Sequence, residues 1–143
     1  MQLFRTLEYD TAARVGWGVR VLLASPTGTE GHLARRLSGL GGLVEVEAHL
    51  YDALSVVMDD SRAAQMLVVD CDAYGGLGAA RRACALLGPD LGLSVVLITA
   101  ECAEQLIPQY REAPIVLRAP VSAVALRVAF DAAFCDRRIV GPD

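Results

Sequence analysis

The sequence predicts an α/β fold, a doubly wound sandwich in which helices cover both faces of a five-stranded parallel sheet. Three observations predict it. Four short runs are almost wholly apolar, 19–24, 66–69, 94–98 and 115–117, as in strands buried on both faces. A fifth run, 44–49, alternates apolar and polar residues, as in a half-exposed edge strand. Segments with apolar residues at helical spacing separate the runs, giving five β–α units.

Residues 1–18 read as a leader of mixed character, with Phe4, Leu7, Tyr9, Val15 and Trp17 available to dock on the body. Val19–Ala24 is the first buried strand. Thr27 and Glu30 have the spacing of a capping box. The helix expected after them carries Leu33, Leu37 and Leu40 and stops at Gly41-Gly42. Val44, Val46 and Ala48 then alternate with Glu45, Glu47 and His49, and Asp52 is expected to cap a short helix through Met58.

Met66–Val69 is the next buried strand and ends at Asp70. A loop through Gly75-Gly76 leads into a helix expected over 77–87, broken by Gly88-Pro89 and Gly92. Ser94–Ile98 is the fourth strand and ends at Thr99. A helix is expected over about 101–110. Pro114 opens the fifth strand, Ile115–Leu117. Pro120 closes it, and Ser122 caps a last helix through Phe134. Residues 135–143 read as a short tail with no output domain after Phe134.

Composition narrows the chemistry. The chain has 143 residues, 54% hydrophobic and 21% charged, with a net charge of -4. That supports one domain with a sizeable core. All 13 basic residues are Arg, and neither Lys nor Asn occurs. No lysine can therefore reach a nucleotide phosphate, form a Schiff base or act as general base, and Arg does not deprotonate to replace it. Without a basic tract, nucleic acid is not expected as a direct partner. No apolar run approaches the ~20 residues of a membrane span, and Arg5, Glu8 and Asp10 argue against a signal peptide. A cytoplasmic protein is the expectation. Cys71, Cys84, Cys102 and Cys135 form no metal-binding pattern and read as reduced, mostly buried thiols.

In such sheets the functional crevice lies at the carboxyl ends of the strands. Here those ends carry Ala24, Ser25, Asp70, Asp72, Thr99, Ala100 and 118–120. In this arrangement the chain resembles the receiver domain of two-component response regulators over roughly 20–134. Leu67-Val68-Val69-Asp70 is similar to the strand ending in that family's phospho-accepting aspartate. Ile98-Thr99-Ala100 is similar to its fourth-strand Thr-Ala. Asp52-Ala53-Leu54 resembles the start of its second helix, and Pro120-Val121-Ser122 the turn after its Lys-Pro. The resemblance implies a flavodoxin-like (βα)5 sheet of order 2-1-3-4-5.

The departures fall on the chemistry. The family's metal-binding acidic pair falls on Ala24 and Ser25, neither of which supplies the carboxylate oxygens Mg²⁺ requires. Its lysine falls on Ala119, and Arg118 beside it points to the other face of the strand. Its switching aromatic falls on Val116. Phosphoryl transfer works by positioning and charge neutralisation, so Asp70 should not be a competent acceptor, although Asp72 offers a partial replacement for the lost acid. The expectation is a degenerate receiver, a pseudo-receiver. The resemblance implies that such a domain signals through protein–protein contact without phosphorylation. No metal and no cofactor is expected.

The last helix suggests the contact surface. Its apolar residues Val124, Leu126, Val128, Phe130 and Phe134 cover most of its circumference, with Arg127 and Asp131 as an i,i+4 pair. One stripe must face the sheet, which leaves either Leu126 and Phe130 or Val128 and Val121 outside. A homodimer is expected through the fourth helix, fifth strand and last helix, with Val116, Arg118, Val124, Arg127, Val128 and Asp131 on the surface. Two other readings stand beside it. The loops 25–29 and 75–76 could hold a phosphate-bearing ligand. Asp70-Cys71-Asp72 also matches the Asp-x-Asp of haloacid-dehalogenase-type phosphatases, with Asp70 as nucleophile and Asp72 as general acid.

Overall fold

The computed structural model describes residues 18–88, 91–102, 105–108 and 113–136. The expected leader up to residue 17, and the expected tail from residue 137, lie outside the described residues.

The sheet has five parallel strands in the order β2-β1-β3-β4-β5. These are β1 (Arg20–Ala24), β2 (Leu43–Glu47), β3 (Met66–Asp70), β4 (Ser94–Thr99) and β5 (Ile115–Arg118). The helices are α1 (His32–Gly39), α2 (Leu50–Asp59), α3 (Leu77–Cys84) and α4 (Ala123–Asp131), and α4 runs into a π-helical turn, Ala132–Asp136. Among the described residues no helix is long and apolar enough to cross a membrane.

The side-chain alternation of the strands divides the core into two layers. Val21, Leu23, Met66, Val68, Val96 and Ile98 meet Ala34 and Leu37 of α1 and Leu126 and Phe130 of α4. Leu22, Leu67, Val69, Leu97 and Val116 meet Ala53, Leu54 and Val57 of α2 and Ala80 and Ala83 of α3. The central strand β3 is buried on both faces from Met66 to Val69, and the edge strand β2 is not. That contrast is the one between a continuous apolar run and an alternating one. Each fully buried Leu or Phe contributes about 1.5–3 kcal/mol.

Helix starts depart from expectation. Thr27 does not cap α1. Its hydroxyl pairs with Ser25 Oγ at 2.9 Å, Gly28 has a positive φ that no helical turn accepts, and α1 begins five residues later at His32 without a side-chain cap. Asp52 lies inside the first turn of α2, whose N-cap is His49; there it favours the helix dipole instead of capping. The third helix ends at Cys84, short of Leu87. Ser122 does cap α4, accepting from the Ala125 amide at 3.0 Å.

The helix expected over 101–110 is not present at its described residues. Residues 105–108 are not helical, and Leu106 exchanges two 2.8 Å backbone hydrogen bonds with Val116 in an antiparallel bridge. Pro108 accounts for this. Proline lacks a donor and pushes the residue before it, Ile107, out of the α region. The bridge covers part of the outer edge of β5, where an unpaired strand would otherwise present open backbone groups.

Candidate functional site

Asp70 is the last residue of β3 and pairs in register with Ile98. The two share a face, so Asp70 points to the α1/α4 side. It lines a cavity of about 210 Å³ with Ser25, Thr27, His32, Leu33, Ile98, Ala119, Pro120 and Val121. Among the described residues no hydrogen bond or ion pair reaches its carboxylate. Burial, reinforced by the neighbouring Asp72 carboxylate, raises its pKa above the ordinary 3.8.

The cavity walls are short of the groups that would stabilise a charge. Ser25 is nearly fully buried and its hydroxyl pairs with that of Thr27, whereas Ala24, fully buried, packs in the α2/α3 layer and does not line the cavity. His32 Nε2 accepts from Arg36 Nε at 2.7 Å. Ala119, at the cis Ala119–Pro120 bond, supplies a methyl group where a cation would be needed. Arg118 is exposed and does not line the cavity, as strand alternation requires. No cluster of His, Cys, Asp or Glu able to hold a metal occurs among the described residues.

The Thr99 hydroxyl bonds to Asp72 and not to Asp70. One residue beyond Ile98, Thr99 leaves β4 on the opposite face. It is fully buried, and its hydroxyl donates to Asp72 Oδ1 at 2.6 Å. Asp72 Oδ2 accepts from the Ala100 amide at 2.8 Å. A 3₁₀ turn, Cys71–Tyr74, positions Asp72, and Gly75 closes that turn in the left-handed conformation with φ 92°. Asp72 is therefore tied to the β4 exit by both of its oxygens.

Glu101 is the residue that sequence reasoning missed. Its amide donates to Thr99 Oγ1 at 3.0 Å, and its Oε2 accepts from the Leu77 amide at 2.6 Å. The first turn of α3 is thus capped by a carboxylate 24 positions away. Local sequence carries no signal for such a cap beyond Gly76, which has no capping side chain and whose φ is 99°.

Of the surface residues expected to meet a partner, Val116 is buried, 2% exposed beneath α2 and α3. It is removed from that surface. Val124 and Val128 are exposed, at 73% and 46%, whereas Leu126, Phe130 and Val121 are buried. Arg118 and Arg127 are exposed and Asp131 half-buried.

No protein-family model matches the chain, and no curated protein does. Solved structures do. A response regulator receiver domain protein from Clostridium thermocellum aligns with a TM-score of 0.58 at 15% identity, covering 80% of this chain and 93% of that one. The PhyR stress response regulator aligns with a TM-score of 0.59 at 18% identity, covering 90% of this chain and 50% of that one. PhyR from Brucella abortus aligns with a TM-score of 0.57 at 15% identity, covering 92% and 55%. The chain thus spans about half the length of the two PhyR structures. Strand order and these alignments agree that the chain has the fold of a response regulator receiver domain.

Proposed function

We propose that the chain is a non-catalytic signalling module, a pseudo-receiver that works through protein–protein contact and not through phosphorylation of Asp70. One observation carries this reading. The cavity around Asp70 has Ser25 where a metal would need a carboxylate and Ala119 where a phosphoryl group would need a cation, and the neighbouring Ala24 side chain brings no oxygen to it. Phosphoryl transfer is catalysed by those charges, and Asp70 is left half-buried and unassisted. The chain's remaining asset is surface, with Val124 and Val128 exposed side by side on α4, next to Arg127. A homodimer through α4 and the exposed end of β5 at Arg118 is the arrangement we propose.

The site chemistry disfavours the two other readings. A phosphate in the Asp70 cavity would face an unpaired carboxylate. A phosphatase needs a proton on Asp72 to give to the leaving group, but both Asp72 oxygens accept hydrogen bonds.

Incubation with acetyl phosphate and Mg²⁺, read by intact mass, is expected to leave the protein unmodified. A stable phosphoryl adduct on Asp70 would overturn the reading. Light scattering tests the dimer: Val124→Asp with Val128→Asp should dissociate it, and a wild-type monomer at every concentration would remove it.

A further inference from the structure

We infer that the Asp72 carboxylate is the resident anion of the strand-end crevice. It fills an oxyanion-binding donor pair, Thr99 Oγ–H and Ala100 N–H, and so holds the loop after β4 in one arrangement without any modification. This rests on the phosphorylation-independent reading and adds the means by which the site dispenses with an added charge.

The geometry is that of a bound anion. A hydroxyl and the next residue's amide are two donors converging from one strand end, and a planar carboxylate takes one with each oxygen, at 2.6 and 2.8 Å. Such charge-assisted pairs are short and strong. A phosphate or sulfate has oxygens at suitable spacing for the same two donors, which are now occupied. An incoming oxyanion would also meet the charge of Asp72 and, across the end of β3, that of Asp70.

The pair is tied to the rest of the crevice. With its proton given to Asp72, the Thr99 hydroxyl still accepts from the Glu101 amide. The Glu101 carboxylate then caps α3 through the Leu77 amide. One continuous set of hydrogen bonds therefore runs from the 3₁₀ turn after β3, through the end of β4, to the start of α3. Asp72 is its only carboxylate that touches both Thr99 and Ala100 among the described residues. It is a positioning residue, since it acts on the loop and not on a substrate.

The probe is inorganic phosphate, followed by amide NMR of the whole chain as wild type and as Asp72→Ala. Amide exchange at Ala100 is expected to be at least about tenfold faster in Asp72→Ala, the size of one charge-assisted hydrogen bond. Phosphate should shift the Ala100 and Glu101 resonances in Asp72→Ala and leave them in place in wild type. Equal exchange in the two proteins, or an equal response to phosphate, overturns the assignment. Should Asp72→Ala not fold, Asp72→Asn keeps the shape with only one acceptor oxygen. Its oxygen can still accept from Ala100 but without the charge, so the Ala100 amide should exchange faster than wild type, and unchanged exchange overturns the assignment in the same way. Acquisition of phosphate by Asp70 in the mass assay is a separate result, so failure of this inference and failure of the functional reading are told apart.

Discussion

Glu101 Oε2 accepts the Leu77 amide at 2.6 Å, so the residue that follows the β4 exit caps the helix that follows β3. Gly76 makes this possible. A Cβ built on Gly76 would lie 2.6 Å from that same oxygen, on a backbone whose φ is 99°. Two effects therefore coincide at one position, left-handed backbone strain and exclusion of the capping carboxylate. Gly76→Ala should destabilise the fold by about 2–3 kcal/mol, combining strain with a lost cap. Glu101→Ala, which loses the cap alone, should cost about 1 kcal/mol. Urea unfolding of the two variants checks the ordering, and an equal loss in both would contradict the strain component.

Asp70 should make the native state less stable as pH rises. Its pKa is raised in the folded protein, first by burial and then by Asp72. In the unfolded chain it titrates at its ordinary, lower value. Between those two values the native state holds more protons than the unfolded state, so stability falls with increasing pH. Asp70→Asn cannot titrate. Its stability relative to wild type should rise as the pH climbs from below the ordinary 3.8 through the raised value, and then level off. Paired urea titrations across that range test it, and a pH-independent difference would show that Asp70 is not strained by its surroundings.

The cysteines should separate by burial. Cys71 is fully buried and its thiol is pushed up to about 12, chiefly by burial. Cys84 is pushed up to about 11 for the same reason. Cys102 is only half-buried. Thiolate is the reactive form, so native-state alkylation near neutral pH should modify Cys102 and spare Cys71 and Cys84. Peptide mapping after iodoacetamide treatment reads this directly. Early labelling of Cys71 would mean that the loop after β3 opens to solvent.

The fold was legible because its signals are local. Met66–Val69 and Ile115–Leu117 are apolar on both sides of the strand, and no other element places such a run. The site was legible only where it depends on residue identity. Ala24, Ser25 and Ala119 lack the required groups wherever they lie. Its hydrogen bonds were not legible, because Asp72 to Thr99 and Glu101 to Leu77 join residues 27 and 24 positions apart. The segment after β4 carries a local conflict: its apolar spacing suits a helix, but Pro108 removes a donor and disfavours helical backbone at Ile107. Val116 lies inside and not on the surface because its side chain falls on the sheet face that the α2/α3 layer covers, which its identity alone does not tell.

The two faces of α4 should respond in opposite ways to truncation. Phe130 is fully buried against the sheet and packs on Phe134, with ring centroids 6.3 Å apart. Phe130→Ala removes a core aromatic and leaves a cavity, costing about 3–5 kcal/mol. Val128, two positions earlier, is 46% exposed. In a monomer Val128→Ala should change stability by less than about 0.5 kcal/mol, because a surface substitution loses little packing and Ala is the better helix former. In the proposed dimer the same change should lower stability in a manner that depends on protein concentration, since association contributes to folding by mass action. Chemical denaturation of Val128→Ala at two well-separated protein concentrations therefore reads stability and association together. A midpoint equal to wild type at both concentrations would place Val128 outside any interface and leave α4 a one-sided helix.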